Sequence, residues 1–289
     1  MKVAVTGPLC KDRNVISGKD YTRAGGVTYY SGITLGRLGV ETVVLGSCGP
    51  DFDLWPRNCP TSLVRLDAEG TIQFTNEYHS PDCNERTQRA TGPDNSLTVE
   101  SVDSVWPEGV ELTILGPLLH DNIPLELVRH LAGRTELALA AQGVFRYLEN
   151  NRIVWRCPEA VLALLPFCRY LALDERELMF ISGRRVLAEG AAFLLDNGAT
   201  NLLVTRGSRG SLLFIDGGEF TIPAFPPQSL IDPTGAGDSF LAGYVKALEL
   251  FDDPGRRGRF AAMTATISLE KSGAFGATAD EVLRRLGWQ

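Results

Sequence analysis

Predicted strands and helices alternate through residues 111–205, and this order constrains the fold more than any other feature of the sequence. Short apolar stretches at 111–115, 136–140, 170–173 and 201–205 have the length of buried strands, and 124–131, 158–165 and 184–196 have helical patterns. Such alternation is typical of parallel strands whose connecting helices cover both faces of one sheet. We therefore predict an α/β fold with a mostly parallel, doubly wound sheet flanked by helices.

The N-terminal half begins with the same pattern and then departs from it. Strands are predicted at 2–6 and 42–45, with a helix over 27–38 between them. Residues 63–66 and 71–75 flank a four-residue turn, which is the pattern of a β-hairpin, and residues 84–88 predict a further strand. We interpret residues 61–89 as a small β insertion in an α/β core formed by 1–60 and 90–289.

The composition excludes several classes of protein. Of the 289 residues, 44% are apolar, which is enough to bury the core of one large domain. Acidic residues outnumber basic ones by 35 to 28 and no long basic run occurs, so we expect no nucleic-acid partner. No stretch approaches the roughly 18 apolar residues of a membrane span, and neither a secretory signal nor a C-x-x-C pair occurs. We expect a cytoplasmic protein without a membrane partner.

The segment 231–240 places a glycine-rich turn directly before a predicted helix. Backbone N–H groups at a helix N-terminus lack partners and carry the positive end of the helix dipole, and glycines let a phosphate approach them. Gly235, Ala236 and Gly237 could therefore bind a phosphate, with Asp238 in the first helical turn as a base beside it. An ordinary turn followed by a helix-stabilising aspartate has the same pattern.

Three further features each allow a ligand-binding interpretation and a purely structural one. Gly25 and Gly26 precede the predicted helix over 27–38 and either bind a ligand through their backbone or form a close-packed turn. Asp12 follows the first predicted strand, where α/β sheets form ligand crevices, although an aspartate in a surface loop has the same position. Residues 205–210 could line a nucleotide or form a glycine turn with two exposed arginines.

Asp174 and Glu177 form an acidic pair after the predicted strand at 170–173. Their spacing places both carboxylates on one face of a helix, where a hydrated magnesium ion could bind. The same spacing fits a helix N-cap with its capping-box glutamate, and this second interpretation is slightly favoured.

These motifs lie in the order found in the ribokinase-like carbohydrate kinases, also called the phosphofructokinase B family, which the sequence resembles along nearly its whole length. Residues 232–238 resemble that family's C-terminal signature, which implies that Asp238 is the catalytic base and that the amides of 235–237 form an anion hole. Residues 61–89 resemble the family's substrate lid, which contacts the acceptor. Asp174 and Glu177 resemble its magnesium motif, with Asp in place of the usual Asn.

The resemblance also implies two sets of binding residues. Those expected to bind the acceptor are Asp12, Gly25, Gly26, Asn84, Arg86, Gln88, Gln142 and Arg146. Those expected to bind the nucleotide are Thr205, Arg206, Gly207, Gly210 and Thr234.

Three stretches, at 25–32, 71–78 and 141–146, look most like the inositol-kinase branch of the family. The expected function is therefore ATP-dependent phosphorylation of a hydroxyl on a small polyol or sugar, with myo-inositol as the first candidate. The resemblance implies ATP and Mg²⁺, allows a monovalent cation, and is compatible with a monomer or a homodimer. A nucleoside kinase and a non-catalytic metabolite-sensing homologue are the alternatives.

Overall fold

The computed structural model describes residues 1–16, 19–78, 86–93 and 95–288. Within these residues the strands are β1 (Lys2–Pro8), β2 (Cys10–Ile16), β3 (Lys19–Gly25), β4 (Glu41–Cys48), β5 (Ser62–Asp67), β6 (Ile72–Tyr78), β7 (Arg86–Thr91), β8 (Leu112–Leu115), β9 (Glu136–Ala140), β10 (Arg146–Glu149), β11 (Arg152–Trp155), β12 (Tyr170–Asp174), β13 (Asn201–Thr205), β14 (Ser211–Ile215) and β15 (Gly218–Ile222). The α-helices are α1 (Val27–Arg37), α2 (Val99–Asp103), α3 (Leu125–Ala132), α4 (Glu159–Leu162), α5 (Glu175–Ser182), α6 (Leu187–Asp196), α7 (Ala236–Leu250), α8 (Pro254–Ser268) and α9 (Ala279–Arg285). Short 3-10 helices cover Ala141–Phe145, Leu165–Phe167 and Gly207–Arg209.

A large sheet organises the fold. In the described part of the chain it has nine strands in the order β15-β14-β13-β12-β9-β8-β1-β4-β5. Neighbouring strands from β13 to β5 pair in parallel, and the pairs β13–β14 and β14–β15 are antiparallel. The predicted mostly parallel sheet is confirmed, and the carboxyl ends of its parallel strands meet at one edge, where such sheets bind ligands.

Helices cover both faces of this sheet, which is the doubly wound arrangement predicted from the alternation. On one face, Leu127 of α3, Leu178 of α5 and Leu194 of α6 belong to a buried apolar cluster with sheet residues. On the other face, Leu35 of α1 and Tyr244 of α7 belong to a second cluster. Burial of apolar side chains on both faces supplies the main stabilising contribution to a fold of this type.

A second sheet lies at the carboxyl edge of the first. Its order among the described residues is β10-β11-β7-β6-β2-β3, with only β2 and β6 paired in parallel. Its apolar inward-facing residues contact Leu118 and Leu119, which follow β8. The small sheet therefore packs beside a loop that leaves one of the parallel strands.

The predicted hairpin of residues 63–66 with 71–75 is wrong. β5 pairs in parallel with β4 at the edge of the large sheet, whereas β6 pairs with β2 and β7 in the small sheet. Two strands joined by a tight turn have the same local pattern whether they pair or separate into different sheets, so spacing could not distinguish these outcomes.

The small sheet also contains strands that lie outside the expected insertion at 61–89. β2 and β3 come from residues 10–25, and β10 and β11 come from residues 146–155. The further strand predicted at 84–88 corresponds to β7, which begins at Arg86. Among the described residues, no helix has both the length and the apolar character needed to cross a membrane.

Candidate active site

The glycine-rich turn leads directly into α7. Gly235 is the N-cap of α7, and its φ of +77° lies in the left-handed region that favours glycine. Its carbonyl accepts a hydrogen bond from the Ser239 amide at 2.8 Å, and the Ala236 amide donates to the Pro233 carbonyl at 3.3 Å. Asp232 Oδ1 accepts a hydrogen bond from the Thr234 amide at 3.0 Å, which fixes the turn. The Ala236 amide, one of the three predicted anion-hole donors, is thus bonded within the turn, and α7 begins at the predicted glycine-rich segment.

Asp238 lies in the first turn of α7 and is only partly exposed. Burial raises the pKa of its carboxyl to about 6, with a further increase from the negative charge of Asp12 and an opposing decrease from the positive charge of Arg146. The carbonyl of Asp238 also accepts a hydrogen bond from Ser31 Oγ of α1 at 3.1 Å. This carboxylate has the partly enclosed position and the raised pKa expected of a general base.

Asp12 and the glycine pair come together on the side of the small sheet. Asp12 lies on β2 and is 9% exposed, and its carboxylate occupies the position that a side chain on Gly25 would need. The Cys10 thiol donates to Asp12 Oδ1 at 3.5 Å, and burial keeps the pKa of this thiol well above its usual range. Gly26, with φ of +95°, is the N-cap of α1. The glycine pair thus gives both a close approach to Asp12 and a helix start.

Arg146 brings positive charge to the acidic residues of the site. It begins β10, directly after the 3-10 helix that follows β9, and is 7% exposed. Its positive charge lowers the pKa of Asp238, Glu177 and Cys10, so it lies within electrostatic reach of all three. Gln142, in the same 3-10 helix, donates from Nε2 to Glu177 Oε1 at 2.9 Å. The carboxyl ends of β9 and β12 thereby contribute to one polar cluster.

Asp174 and Glu177 form the capping box of α5. The Glu177 amide donates to Asp174 Oδ1 at 2.8 Å, and the Asp174 amide donates to Glu177 Oε2 at 2.8 Å. Burial and the charge of Asp174 raise the pKa of Glu177 to about 7. The capping interpretation is confirmed, and both oxygens of Glu177 accept hydrogen bonds. Because both oxygens of Glu177 already accept hydrogen bonds, the two carboxylates are better suited to a magnesium ion that keeps its water ligands than to an ion bound directly to Glu177.

The turn after β13 lies at the same edge as this acidic pair. Thr205 pairs with Asp174 across the sheet, the Arg206 amide donates to the Gly210 carbonyl at 2.8 Å, and Arg209 forms an ion pair with Glu175. Gly207 and Gly210 have φ of +57° and +81°. The turn adopts a left-handed geometry at both glycines, with Arg209 held by a partner on α5.

The three remaining acceptor candidates fall on β7 or before it. Gln88 is partly buried and donates from Nε2 to Asn76 Oδ1 at 2.9 Å. Arg86 is the first residue of β7, and its side chain is not described. Asn84 lies outside the described residues.

Several contacts at the site were not predicted from the sequence. Arg23 of β3 forms an ion pair with Asp232, its Nη1 lying 2.5 Å from Asp232 Oδ2, and so joins the small sheet to the turn before α7. The ring of Tyr30 packs against Gly235. Asn14 and Asn76 are buried in the small sheet and hydrogen-bonded to each other. These two asparagines could have been recognised as a pair only if β2 and β6 had been assigned to one sheet. The local spacing of residues does not give that assignment.

Comparison with known proteins supports an enzyme that transfers phosphate. The sequence pattern of the pfkB family carbohydrate kinases matches residues 11–280. A nucleoside kinase of Methanocaldococcus jannaschii is 38% identical over 276 residues, which cover 91% of this chain and 85% of that protein. An inositol 3-kinase of Zea mays is 30% identical over 170 residues, or 59% of this chain and 41% of that protein.

Solved structures agree with these sequence matches. A pyrophosphate-dependent kinase in the ribokinase family, complexed with a pyrophosphate analog and myo-inositol, superimposes with a TM-score of 0.85 and 25% identity over 99% of this chain and 100% of that chain. An Arabidopsis thaliana ribokinase complexed with ribose and ATP superimposes with a TM-score of 0.78 at 20% identity, over 99% of each chain. The ribokinase-like fold is therefore confirmed across the described chain.

Proposed function

Because this chain belongs to the pfkB family of carbohydrate kinases, we propose that it transfers a phosphoryl group to a hydroxyl of a small polyol or sugar, with myo-inositol as the first candidate acceptor. The observation that carries this proposal is the polar cluster in which Asp238, in the first turn of α7, lies within electrostatic reach of Asp12 and Arg146. The similarity to a kinase complexed with myo-inositol supports the choice of acceptor.

In the proposed reaction, Asp238 accepts the proton of the acceptor hydroxyl as that oxygen forms a bond to the terminal phosphorus of the donor. The bond from this phosphorus to its bridging oxygen breaks at the same time, and ADP leaves when the donor is ATP, or phosphate when it is pyrophosphate. The amides of Gly235 and Gly237 stabilise charge on the transferred phosphoryl oxygens, and Arg146 supplies positive charge nearby. Asp12, beside Gly25, orients the acceptor. Thr205, Arg206, Gly207, Gly210 and Thr234 remain the proposed nucleotide-binding residues.

Magnesium is the proposed cofactor. A magnesium ion bound with the donor would neutralise negative charge on its phosphates. Asp174 and Glu177 would hold such an ion through its water ligands, since their direct hydrogen bonds form the capping box. Their position at the carboxyl end of β12, beside Gln142 at the edge where the other site residues lie, supports this role.

Replacing Glu177 with Gln is expected to raise the Mg²⁺ concentration needed for half-maximal activity by about tenfold, because one carboxylate near the ion is lost. A magnesium titration of the initial rate measures this change. Asp174→Asn keeps the N-cap, since Asn is as good an N-cap as Asp, so it should preserve the melting temperature while its magnesium requirement also rises. An unchanged magnesium titration in Glu177→Gln would restrict this residue to helix capping.

The pH dependence of kcat/KM is expected to report the ionisation of Asp238. The rate should rise as pH increases through about 6, because the carboxyl must be ionised to accept a proton. Arg146→Met should move this rising limb to higher pH, since the Arg146 charge lowers the pKa of Asp238. Arg152→Met, an exposed position on β11, is the control and should keep the wild-type limb. A limb that stays in place in Arg146→Met would contradict the assigned role of Arg146.

The phosphate donor has two candidates. Membership of the pfkB family implies ATP, and we propose ATP as the first donor. The similarity of the chain to a pyrophosphate-dependent kinase, at 25% identity over nearly the whole length of both proteins, specifically favours pyrophosphate as the second. Both donors present a terminal phosphoryl group to the same helix N-terminus, so the proposed roles of Asp238 and the glycines hold for either.

Nucleoside phosphorylation is the second candidate function. It is supported by the 38% identity to the nucleoside kinase of Methanocaldococcus jannaschii. The experiment that separates the two functions measures donor consumption with ATP and with pyrophosphate against inositols, hexoses, pentoses and nucleosides. We expect the largest kcat/KM for a cyclic polyol or a sugar; a larger value for cytidine or adenosine would establish the nucleoside kinase instead. Binding of these compounds without donor consumption would indicate a metabolite sensor.

A further inference from the structure

A cavity of about 710 Å³ lies where the chain passes between the two sheets, and no residue of the proposed active site lines it. The chain leaves β5 in the large sheet and enters β6 in the small sheet through residues 68–71, the first crossing. It returns from β7 to α2 through the second crossing, which includes residues 92, 93 and 95–98. Both crossings contribute to the cavity wall. Its polar lining residues are Ser47, Asp67, Glu69, Asn95 and Ser96.

The walls of this cavity are fixed by close packing of the backbone. A Cβ atom on Gly49, directly after β4, would overlap the backbone of Gly70 in the first crossing, and Gly70 in turn lies beside the ring of Pro93 in the second. Thr71 Oγ1 accepts a hydrogen bond from the Gly49 amide at 3.2 Å and donates to Asp51 Oδ1 at 2.8 Å. The two crossings are therefore held together without a ligand, and the cavity has a volume typical of small-molecule sites.

Asn95 gives this cavity a buried amide that the protein leaves unpaired. The residue is 2% exposed, and neither its Nδ2 nor its Oδ1 has a hydrogen-bond partner in the part of the chain that the structure describes. Buried side-chain amides normally have at least one partner, because losing water without a replacement is unfavourable. Since Asn95 lies in the cavity wall, a bound ligand could provide that partner.

The charge of the cavity selects the kind of ligand. Asp67 and Glu69 are exposed, and within the described residues neither forms an ion pair. The basic side chains of the adjoining turn are already engaged, because Arg65 donates to two backbone carbonyls and Lys11 pairs with Asp51. The described chain also holds no group of three or more side chains suited to a metal ion. Two uncompensated carboxylates beside an unpaired amide favour an organic cation over a metal or an anion.

We propose that the cavity between the two crossings binds a small organic cation that carries N–H donors, an ammonium or a guanidinium group. Its N–H groups would donate to Asn95 Oδ1, and Asp67 and Glu69 would balance its charge. A quaternary ammonium has the same charge but no N–H donor, so it would leave Asn95 unpaired. This site goes beyond the proposed function, because none of its residues takes part in phosphoryl transfer.

The test measures binding of putrescine and agmatine to the full chain by calorimetric titration. The wild type is expected to bind at least one of them, and to bind 1,4-bis(trimethylammonio)butane about tenfold more weakly or less. The double variant Asp67→Asn with Glu69→Gln should weaken amine binding by about tenfold. Asn95→Leu should weaken it by a similar factor. Its melting temperature should equal or exceed that of the wild type, because an unpaired buried amide is removed.

Glu108→Gln is the matched control, since Glu108 is exposed and does not line the cavity. It should keep the wild-type affinity. Hydrogen exchange should slow at the two crossings when the amine binds; slowing only at the start of α7 would place the amine in the active site and overturn the inference.

Three other results would also overturn the inference. They are no amine binding by the wild type, equal affinities in the charge variant and Glu108→Gln, and equal binding of the quaternary analogue. Displacement of agmatine by Mg²⁺ at lower concentration would assign the cavity to a metal ion instead. If Asn95→Leu does not fold, the charge variant and the quaternary analogue still decide. Because no turnover is measured, failure of the proposed function leaves this test unaffected.

Discussion

Replacing Asp238 with Asn is expected to lower kcat by about 10²–10⁴-fold, the usual contribution of a general base. Asn preserves the shape of the side chain but accepts a proton far more weakly than a carboxylate. The affinity for the phosphate donor should stay within about twofold, because the donor is proposed to bind the backbone amides at the start of α7. Initial rates and donor binding, measured on the same preparations, test both parts.

The same variant is expected to be more stable than the wild type at pH 8. The raised pKa of Asp238 means that its ionised form is disfavoured in the folded protein, so this carboxylate lowers stability as pH rises from the value for unfolded Asp to about 6. Removing the charge should raise the free energy of unfolding at pH 8 by on the order of 1 kcal/mol, and the gain should disappear near pH 4. Near-wild-type turnover in this variant would show that Asp238 is not the base. A free energy of unfolding below that of the wild type at pH 8 would contradict the destabilising effect assigned to the charge of Asp238.

Gly235→Ala is expected to reduce kcat/KM by about 100-fold or more and to destabilise the protein by about 2–4 kcal/mol. The φ of +77° at Gly235 disfavours any residue with a Cβ atom, and that atom would overlap the ring of Tyr30. Tyr30 is 3% exposed, so its ring has little space to move away. The turn that presents the amides of α7 would therefore be displaced.

Gly237→Ala separates stability from phosphate binding in the same segment. A Cβ atom at Gly237 meets open space, and Ala is the better residue within a helix, so its melting temperature should equal or exceed that of the wild type. Its KM for the donor should nevertheless rise, because the added methyl group lies where the phosphate is proposed to approach. Equal stability losses in Gly235→Ala and Gly237→Ala would contradict the geometry of the turn, and an unchanged donor KM in Gly237→Ala would contradict the phosphate site.

The main architecture followed from the sequence because strand and helix periods are local properties. The strands of the parallel sheet, helix α1 and the helix that begins at Ala236 each show their apolar pattern within a short stretch of sequence. Which strands pair is a long-range property. β2 pairs with β6 across a separation of about sixty residues, and β11 joins β7 from the other half of the chain. Neither pairing leaves a signal in the local sequence, so the sequence did not predict all the strands of the small sheet.

The residues of the site divide in the same way, into those predicted from local sequence and those that depend on long-range contacts. The placement of Asp238 and its glycines at a helix start could be predicted because turn, helix start and carboxylate lie within a few adjacent residues. The capping box of Asp174 and Glu177 was likewise visible in their spacing. The ion pair of Arg23 with Asp232 and the hydrogen bond of Asn76 with Asn14 join residues far apart in the chain. Such contacts depend on how the two sheets assemble, which the identity of each residue alone does not reveal.

The central claim is that Asp238 serves phosphoryl transfer from a donor at the start of α7 to an alcohol. It is tested most directly by incubating the wild type and Asp238→Asn with Mg²⁺, ATP or pyrophosphate, and the panel of polyols, sugars and nucleosides, and by detecting phosphate esters by phosphorus NMR. The wild type should form an ester of at least one acceptor with at least one donor, and Asp238→Asn should form almost none in the same time. No ester from the wild type with any combination, or equal amounts from both proteins, would contradict the claim.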